Sequence, residues 1–303
     1  MSKIKRKLTF DLDLLFCEFL AEKETLGLSK RTLQNYESSY KKYVSEIGKT
    51  ISKESIEKWI KSLIDKKMNP ISINHYVTHL RVFAYWFMNK GYCRPFVVKK
   101  IKTQEPQLKT LSDEEIVVLL EKPSLRCIFS IFRSWVIINF ILGTGARVST
   151  ITNLKVEDVD FSNKEIRYTH LKNKQSAIVP MSQSLERILK TYLNTWDLGK
   201  GYLFPSKHGV QLTSSALEQS LRRYVVGRGI KYKGAHSFRH TFAKKYIVNG
   251  GNAFILQRLL THSDLSMTKK YVRLFSSDLH KDYDSLCPLD SYDTHSTIKR
   301  KNN

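Results

Sequence analysis

VDFSNKEIRYTHLKNKQSAIVP, residues 159–180, is where the helical recurrence of this chain gives way to short extended runs. Val159, Ile166, Tyr168, Ile178 and Val179 fall in brief β-prone segments. Turn-forming residues separate them at SNKE (162–165) and KNKQ (172–175), and such clusters mark hairpins. The pattern predicts a small antiparallel sheet, and everything around it reads as helix. The expected fold class is therefore mainly α with a small antiparallel β-sheet.

After the sheet, helical spacing resumes over about 183–196, 213–228, 237–249, 252–260 and 265–275. Before it, LSDEEIVVLL (111–120) opens a helix with Ser112 as N-cap and Glu115 at the reciprocal capping position. A long apolar helix follows, over roughly 125–142, and stops at GTGARVST (143–150). Residues 9–90 read as a separate small helical bundle. Its helices follow Ser29, run from about Glu54 to Lys66, and follow Asn69–Pro70, where Ile73, Val77, Leu80, Phe83, Ala84 and Phe87 make one apolar stripe. Between bundle and second region, 92–110 carries two prolines, several Lys and Arg and little periodicity, which predicts a basic linker. The expected boundaries are a helical domain over 1–91, the linker, a second domain over 111–285 and a flexible tail over 286–303.

The 303 residues carry 51 Lys and Arg against 28 Asp and Glu, a formal charge of +23. Residues 1–110 hold 22 basic against 11 acidic residues and the remainder 29 against 17, so no single tail accounts for the excess. A polyanion lying against both halves would match this distribution, because each neutralised phosphate releases counterions. No apolar run is long enough to cross a membrane and no apolar signal core follows the basic N-terminus, so a cytoplasmic protein is expected. The scattered Cys17, Cys93, Cys127 and Cys287 form no C-x-x-C pair, which argues against a zinc ribbon or a disulfide framework.

Three segments carry groups suited to phosphate chemistry. GTGARVST places Arg147 after a glycine turn, where backbone can approach a ligand and a planar guanidinium can grip two oxygens. GAHSFRHTFAKKY (234–246) puts His236, Arg239 and His240 on one helical face. His236 and His240 have the spacing of a zinc pair, yet Ser237 stands where a metalloprotease has its glutamate, so no metal is expected. His240 reads as a structural histidine. LLTHSDLSMTKKYVRL (259–274) sets His262 nine positions before Tyr271.

Arg147, a hairpin lysine, the H-x-x-R of His236 and Arg239, then His262 and Tyr271, in this order and at these distances, resemble the tyrosine recombinase (phage integrase) family. The resemblance covers nearly the whole chain. It implies a helical, SAM-like core-binding domain in the first part and an α+β catalytic domain in the second. It implies an enzyme that cuts and rejoins DNA at specific sites through a covalent 3′-phosphotyrosyl intermediate, without cofactor or metal. Tyr271 would be the nucleophile and Arg147 and Arg239 would hold the non-bridging oxygens. His236 would take the tyrosine proton, and His262 would donate to a phosphate oxygen. The family's acid lysine lies in the second hairpin turn, which favours Lys172, with Lys174 as its rival.

Double-stranded DNA is the implied partner, bound by a homotetramer on two sites, with a partner recombinase or accessory protein left open. The segment after Tyr271, with Leu274, Phe275, Leu279 and Leu286, resembles the family's C-terminal helix that docks on a neighbouring subunit. The start of the chain suits a compact, Xer-sized enzyme of the bacterial cytoplasm and nucleoid. Integration or excision of a mobile element is the preferred role, with plasmid or chromosome dimer resolution as the alternative. A catalytically idle DNA-binding protein and a type IB topoisomerase relative are the competing readings. Two positions depart from the family's pattern: Thr150 where an acid is usual, and Thr261 where glycine is usual.

Overall fold

A computed structural model describes residues 11–103, 108–169, 176–261, 268, 269 and 271. The chain divides into two compact units, Met1–Pro106 and Gln107–Asn303. The second hairpin turn with Lys172 and Lys174, His262, most of the helix expected from 265 and the 286–303 tail lie outside the described residues. No helix among the described residues is long and apolar enough to cross a membrane.

The first unit holds four helices: α1 (Leu12–Thr25), α2 (Lys30–Ile47), α3 (Lys53–Asp65) and α4 (Pro70–Asn89). Each starts on a residue whose side chain accepts a backbone N–H left open by the first turn. Asp11 serves α1, Ser29 serves α2, Ser52 serves α3 in a reciprocal box with Ser55, and Asn69 serves α4 ahead of Pro70. The buried stripes meet in an aromatic core. Phe16 stacks on Tyr40 with centroids 3.8 Å apart, Phe83 meets Phe16 edge-on at 5.0 Å, and Trp59 and Tyr43 are fully buried. Trp86 donates to Glu22 at 2.8 Å and Tyr43 to Ser55 at 2.7 Å. The described part of the segment expected as a linker has neither helix nor strand, and its residues 92–103 are fastened to this unit. Asn74 donates to the Ile101 carbonyl at 2.9 Å and accepts from its N–H at 3.0 Å, and Val98 is buried in the same core.

The second unit contains α5 (Asp113–Leu120), α6 (Phe129–Thr144), a single turn α7 (Val148–Ile151), the three-stranded sheet, α8 (Gln183–Thr195), α9 (Ser214–Val226), α10 (Ala235–Val248) and α11 (Ala253–Leu259). Strands β1 (Val159–Asp160), β2 (Glu165–Tyr168) and β3 (Ala177–Pro180) pair antiparallel in chain order, with Val159 opposite Ile166 and Ile166 opposite Val179. Helix α6 is the spine. Phe132, Trp135, Val136, Ile137, Ile138, Phe140 and Ile141 are all buried, and α8, α9 and α10 pack around it. A helix apolar on every side is stable only when covered on every side. Burying each such side chain contributes about 1.5–3 kcal/mol.

The spine begins four residues later than the apolar pattern suggested. Leu125 and Ile128 are exposed, and Ile128 caps the helix with extended backbone, because nothing covers that end. At the other end, Gly145 adopts φ +68 and accepts the turn out of α6. A Cβ there would lie 2.5 Å from the Phe242 ring and 2.6 Å from Leu260.

Gly145→Ala should therefore cost more than about 2 kcal/mol, combining a left-handed backbone with overpacking. Gly250→Ala, at φ +82 with no heavy atom within 4 Å of the added carbon, should cost only about 1 kcal/mol. Urea unfolding of both variants checks this, and equal losses would show that the packing at Gly145 is unimportant.

Candidate active site

Helix α10 carries His236, Arg239 and His240, and three contacts from other elements fix it. Its N-cap, Gly234, has no side chain to offer, so Glu218 of α9 accepts the Ala235 N–H at 3.3 Å. That carboxylate also accepts the Tyr232 hydroxyl. Lys233, just before the helix, donates to both oxygens of Glu115 at 2.9 and 2.7 Å and to the Thr110 carbonyl at 3.1 Å. Thr241 accepts the Leu111 N–H at 2.9 Å. The helix consequently starts two residues earlier than its apolar pattern suggests, and His236 falls in its first turn, beside a carboxylate.

Arg239 is buried, 5% exposed, and its guanidinium spans two turns. Nη1 donates to the Gly145 carbonyl at 2.6 Å and Nη2 to the Leu260 carbonyl at 2.7 Å. The absence of a Cβ on Gly145 lets Phe242 and Leu260 close over that turn. Arg147, two residues beyond Gly145, reaches the same α11 terminus: Nη1 donates to Thr261 Oγ1 at 2.5 Å and to the Thr261 carbonyl at 3.2 Å. Among the described residues neither arginine pairs with a carboxylate. Burial and the facing Arg147 both work against the charge on Arg239, but a guanidinium does not surrender its proton in proteins. Among the described residues the two cations are held by neutral oxygens alone.

Tyr271 is 2% exposed and packs with Ala243, Leu256 and Leu260. Its hydroxyl lies 2.8 Å from His240 Nδ1. Burial raises the phenol pKa, opposed by Arg239 and Arg147. Burial lowers the His240 pKa, with His236 and Arg239 adding to it. Both shifts favour the state in which the phenol keeps its proton and the imidazole is neutral. His236 is shifted the same way, by loss of hydration first and then by Arg239 and Arg147, with Glu218 opposing. It keeps an exposed face. The two imidazole centroids are 6.4 Å apart.

Of the residues singled out from sequence, Arg147, His236, Arg239 and Tyr271 are described; Arg147, Arg239 and Tyr271 meet the turn at Leu260–Thr261, and His236 lies close enough to both arginines to feel their charge. Lys172 and His262 lie outside the described residues, as does the rival Lys174. His240, read from sequence as structural, lies with Nδ1 2.8 Å from the tyrosine hydroxyl, a contact the sequence did not indicate beyond its place directly after Arg239 and four residues after His236. Thr150, flagged for its position, is buried.

Residues 109–277 match the sequence model of the phage integrase family. The chain is 27% identical over 279 residues to tyrosine recombinase XerD of Staphylococcus haemolyticus, covering 86% of this chain and 94% of that protein. It is 28% identical over 280 residues to XerD of Staphylococcus aureus, with the same coverage. Among solved structures, XerA recombinase aligns over 92% of this chain and 99% of its own at 24% identity, with a TM-score of 0.51. The Tn1549 transposon integrase in complex with a circular intermediate DNA aligns over 87% and 95% at 17% identity, with a TM-score of 0.74. A lambda integrase tetramer bound to a Holliday junction aligns over 88% and 78% at 16% identity, with a TM-score of 0.71. At these identities the structural likenesses establish the fold.

Both histidines should titrate below the ordinary 6.5 when followed by NMR. A base whose folded pKa is depressed stabilises the fold above its unfolded value. That contribution is lost as pH falls from 6.5 through the folded value, because the unfolded state then binds more protons. The urea midpoint should thus drop between about pH 7 and pH 5, and His240→Gln should make the drop shallower. A His240 that titrates at or above 6.5 would contradict the proton placement on Tyr271.

Proposed function

The chain belongs to the phage integrase family, and on that premise we propose that it is a tyrosine-type site-specific DNA recombinase working through a covalent 3′-phosphotyrosyl intermediate. One observation carries the residue assignment: Arg147, Arg239 and Tyr271, distant in sequence, converge on the Leu260–Thr261 turn with a histidine nitrogen 2.8 Å from the phenol oxygen. That arrangement provides a nucleophile, an acceptor for its proton and two fixed cations for a phosphate, the requirements for transesterification without metal.

In the cleavage step the Tyr271 oxygen bonds to phosphorus as the bond from phosphorus to the 5′-oxygen breaks. The phosphodiester energy is kept in the new ester, so no external energy source is needed. The phenol proton passes to imidazole. His236 is the assigned acceptor on DNA, and the 2.8 Å contact supports His240 as the acceptor in the DNA-free state. Arg147 and Arg239 meet the charge that accumulates on the non-bridging oxygens, and His262 donates to one of them. Lys172 supplies the proton that the departing 5′-oxygen takes up. Rejoining is the same step in reverse, with the 5′-hydroxyl of another strand as nucleophile.

Double-stranded DNA as partner and a homotetramer on two sites are supported by the charge of +23 and by the DNA-bound relatives, one of them a tetramer on a Holliday junction. The first unit is proposed as the core-binding domain, and the cytoplasm and nucleoid as the place of action. Integration or excision of a mobile element is the proposed role. Similarity to XerD along 94% of that protein favours dimer resolution as a second reading. Recombination between two sites on one circle, compared with sites on separate molecules, separates the two.

Nicked suicide substrates made from the DNA flanking the gene should trap a covalent protein–DNA adduct. Tyr271→Phe should abolish it, while Tyr283→Phe, at the tyrosine twelve positions further along the chain, should leave it. Absence of any adduct on every such site would favour an idle binder, and relaxation of supercoiled DNA lacking a site would favour the topoisomerase reading.

The lysine assignment has its own check. Lys172→Ala should slow cleavage about 10²-fold or more, and a 5′-bridging phosphorothiolate, whose sulfur leaves without a proton, should restore the rate. Restoration confined to Lys174→Ala would move the role to Lys174.

A further inference from the structure

Three described non-glycine residues have positive φ: Lys67, Lys164 and Thr261. The two lysines are exposed. Thr261 alone is β-branched, and its φ of +49 puts it in the left-handed region that such a side chain strongly disfavours. It follows directly on α11, where Leu260 is the C-cap and the Thr261 N–H returns to the Arg258 carbonyl at 2.9 Å. Glycine is the residue that this position of a helix end normally takes. Backbone requirements therefore do not explain the threonine, and a strained residue that persists at a site points to a role for its side chain.

The side chain has one: its Oγ1 accepts from Arg147 Nη1 at 2.5 Å while its carbonyl accepts from the same nitrogen at 3.2 Å. No described carboxylate holds this guanidinium. Anchoring Nη1 leaves the Nε–Nη2 edge of the fork to meet two phosphate oxygens side by side. We propose that Thr261 is a positioning residue that orients Arg147 for the scissile phosphate through its hydroxyl, at the expense of a strained backbone. This rests on the recombinase reading given above.

The strain and the contact make opposite demands, which gives the test its power. Single-turnover cleavage of a suicide substrate by the full-length protein is measured alongside half-saturating DNA concentration and melting temperature. Thr261→Gly frees the backbone and removes the hydroxyl. It should melt at or above the wild-type temperature and yet cleave about tenfold or more slowly at saturating DNA, with unchanged half-saturation. Thr261→Ser keeps the hydroxyl and should recover the rate to within about threefold of wild type. Thr261→Val keeps the shape and the strain and should be as slow as the glycine variant; should it fail to fold, the glycine and serine variants still decide.

A glycine variant as fast as wild type, or a serine variant as slow as glycine, would overturn the proposal. The contact is read apart from activity by the Arg147 guanidinium NMR signals, expected in slow exchange for wild type and serine and lost for glycine. If wild type forms no adduct while those signals follow this pattern, the recombinase reading fails and the contact stands. If adducts form but the signals ignore residue 261, the positioning role fails alone.

Discussion

The second unit is organised around a buried guanidinium. Arg239 gives one nitrogen to the Gly145 carbonyl and the other to the Leu260 carbonyl. Moving such a charge out of water is unfavourable unless its donors are met, and leaving one unmet in a buried place is worse. The end of the spine helix, the middle of α10 and the end of α11 are therefore not independent. Shifting any of the three strands a donor of Arg239. Gly145 is part of the same constraint, since only a residue without Cβ lets Phe242 and Leu260 close over the carbonyl that Arg239 needs.

Chemistry inherits this rigidity. The two turns that satisfy Arg239 are the turns that hold Arg147, and the core that covers Leu260 also covers Tyr271. Among the described residues the acceptors of both arginines are neutral oxygens, and no carboxylate pairs with either guanidinium. Burial first, and then the charge of Arg239, lowers the pKa of both imidazoles.

Much of this architecture could be read from the chain. Ser29, Ser112 and the alternating run after Val159 announced their elements because caps and strand periodicity are local signals. The order of Arg147, His236, Arg239 and Tyr271 singled out residues that the fold brings near one another, because the proposed chemistry needs those groups together. What escaped was what distant segments decide. The spine starts at Phe129 and not at Leu125 because nothing covers Leu125 and Ile128, which no local pattern records. Helix α10 starts early because a glutamate on α9 caps it. His240 looked structural because a histidine's partner, here a hydroxyl 31 residues away, is invisible in its own helix. Thr261 was conspicuous only as an oddity, and the atom that gives it meaning belongs to a residue 114 positions earlier.

The burial of the tyrosine bears on how such a protein lives among its targets. A chain of charge +23 adheres to almost any duplex it meets. Tyr271, by contrast, is buried, with its hydroxyl 2.8 Å from His240. On the reading proposed above, in which Tyr271 is the nucleophile, sticking and cutting become separate events: charge lets the protein search a chromosome, letting go and rebinding, while the phenol stays sheathed.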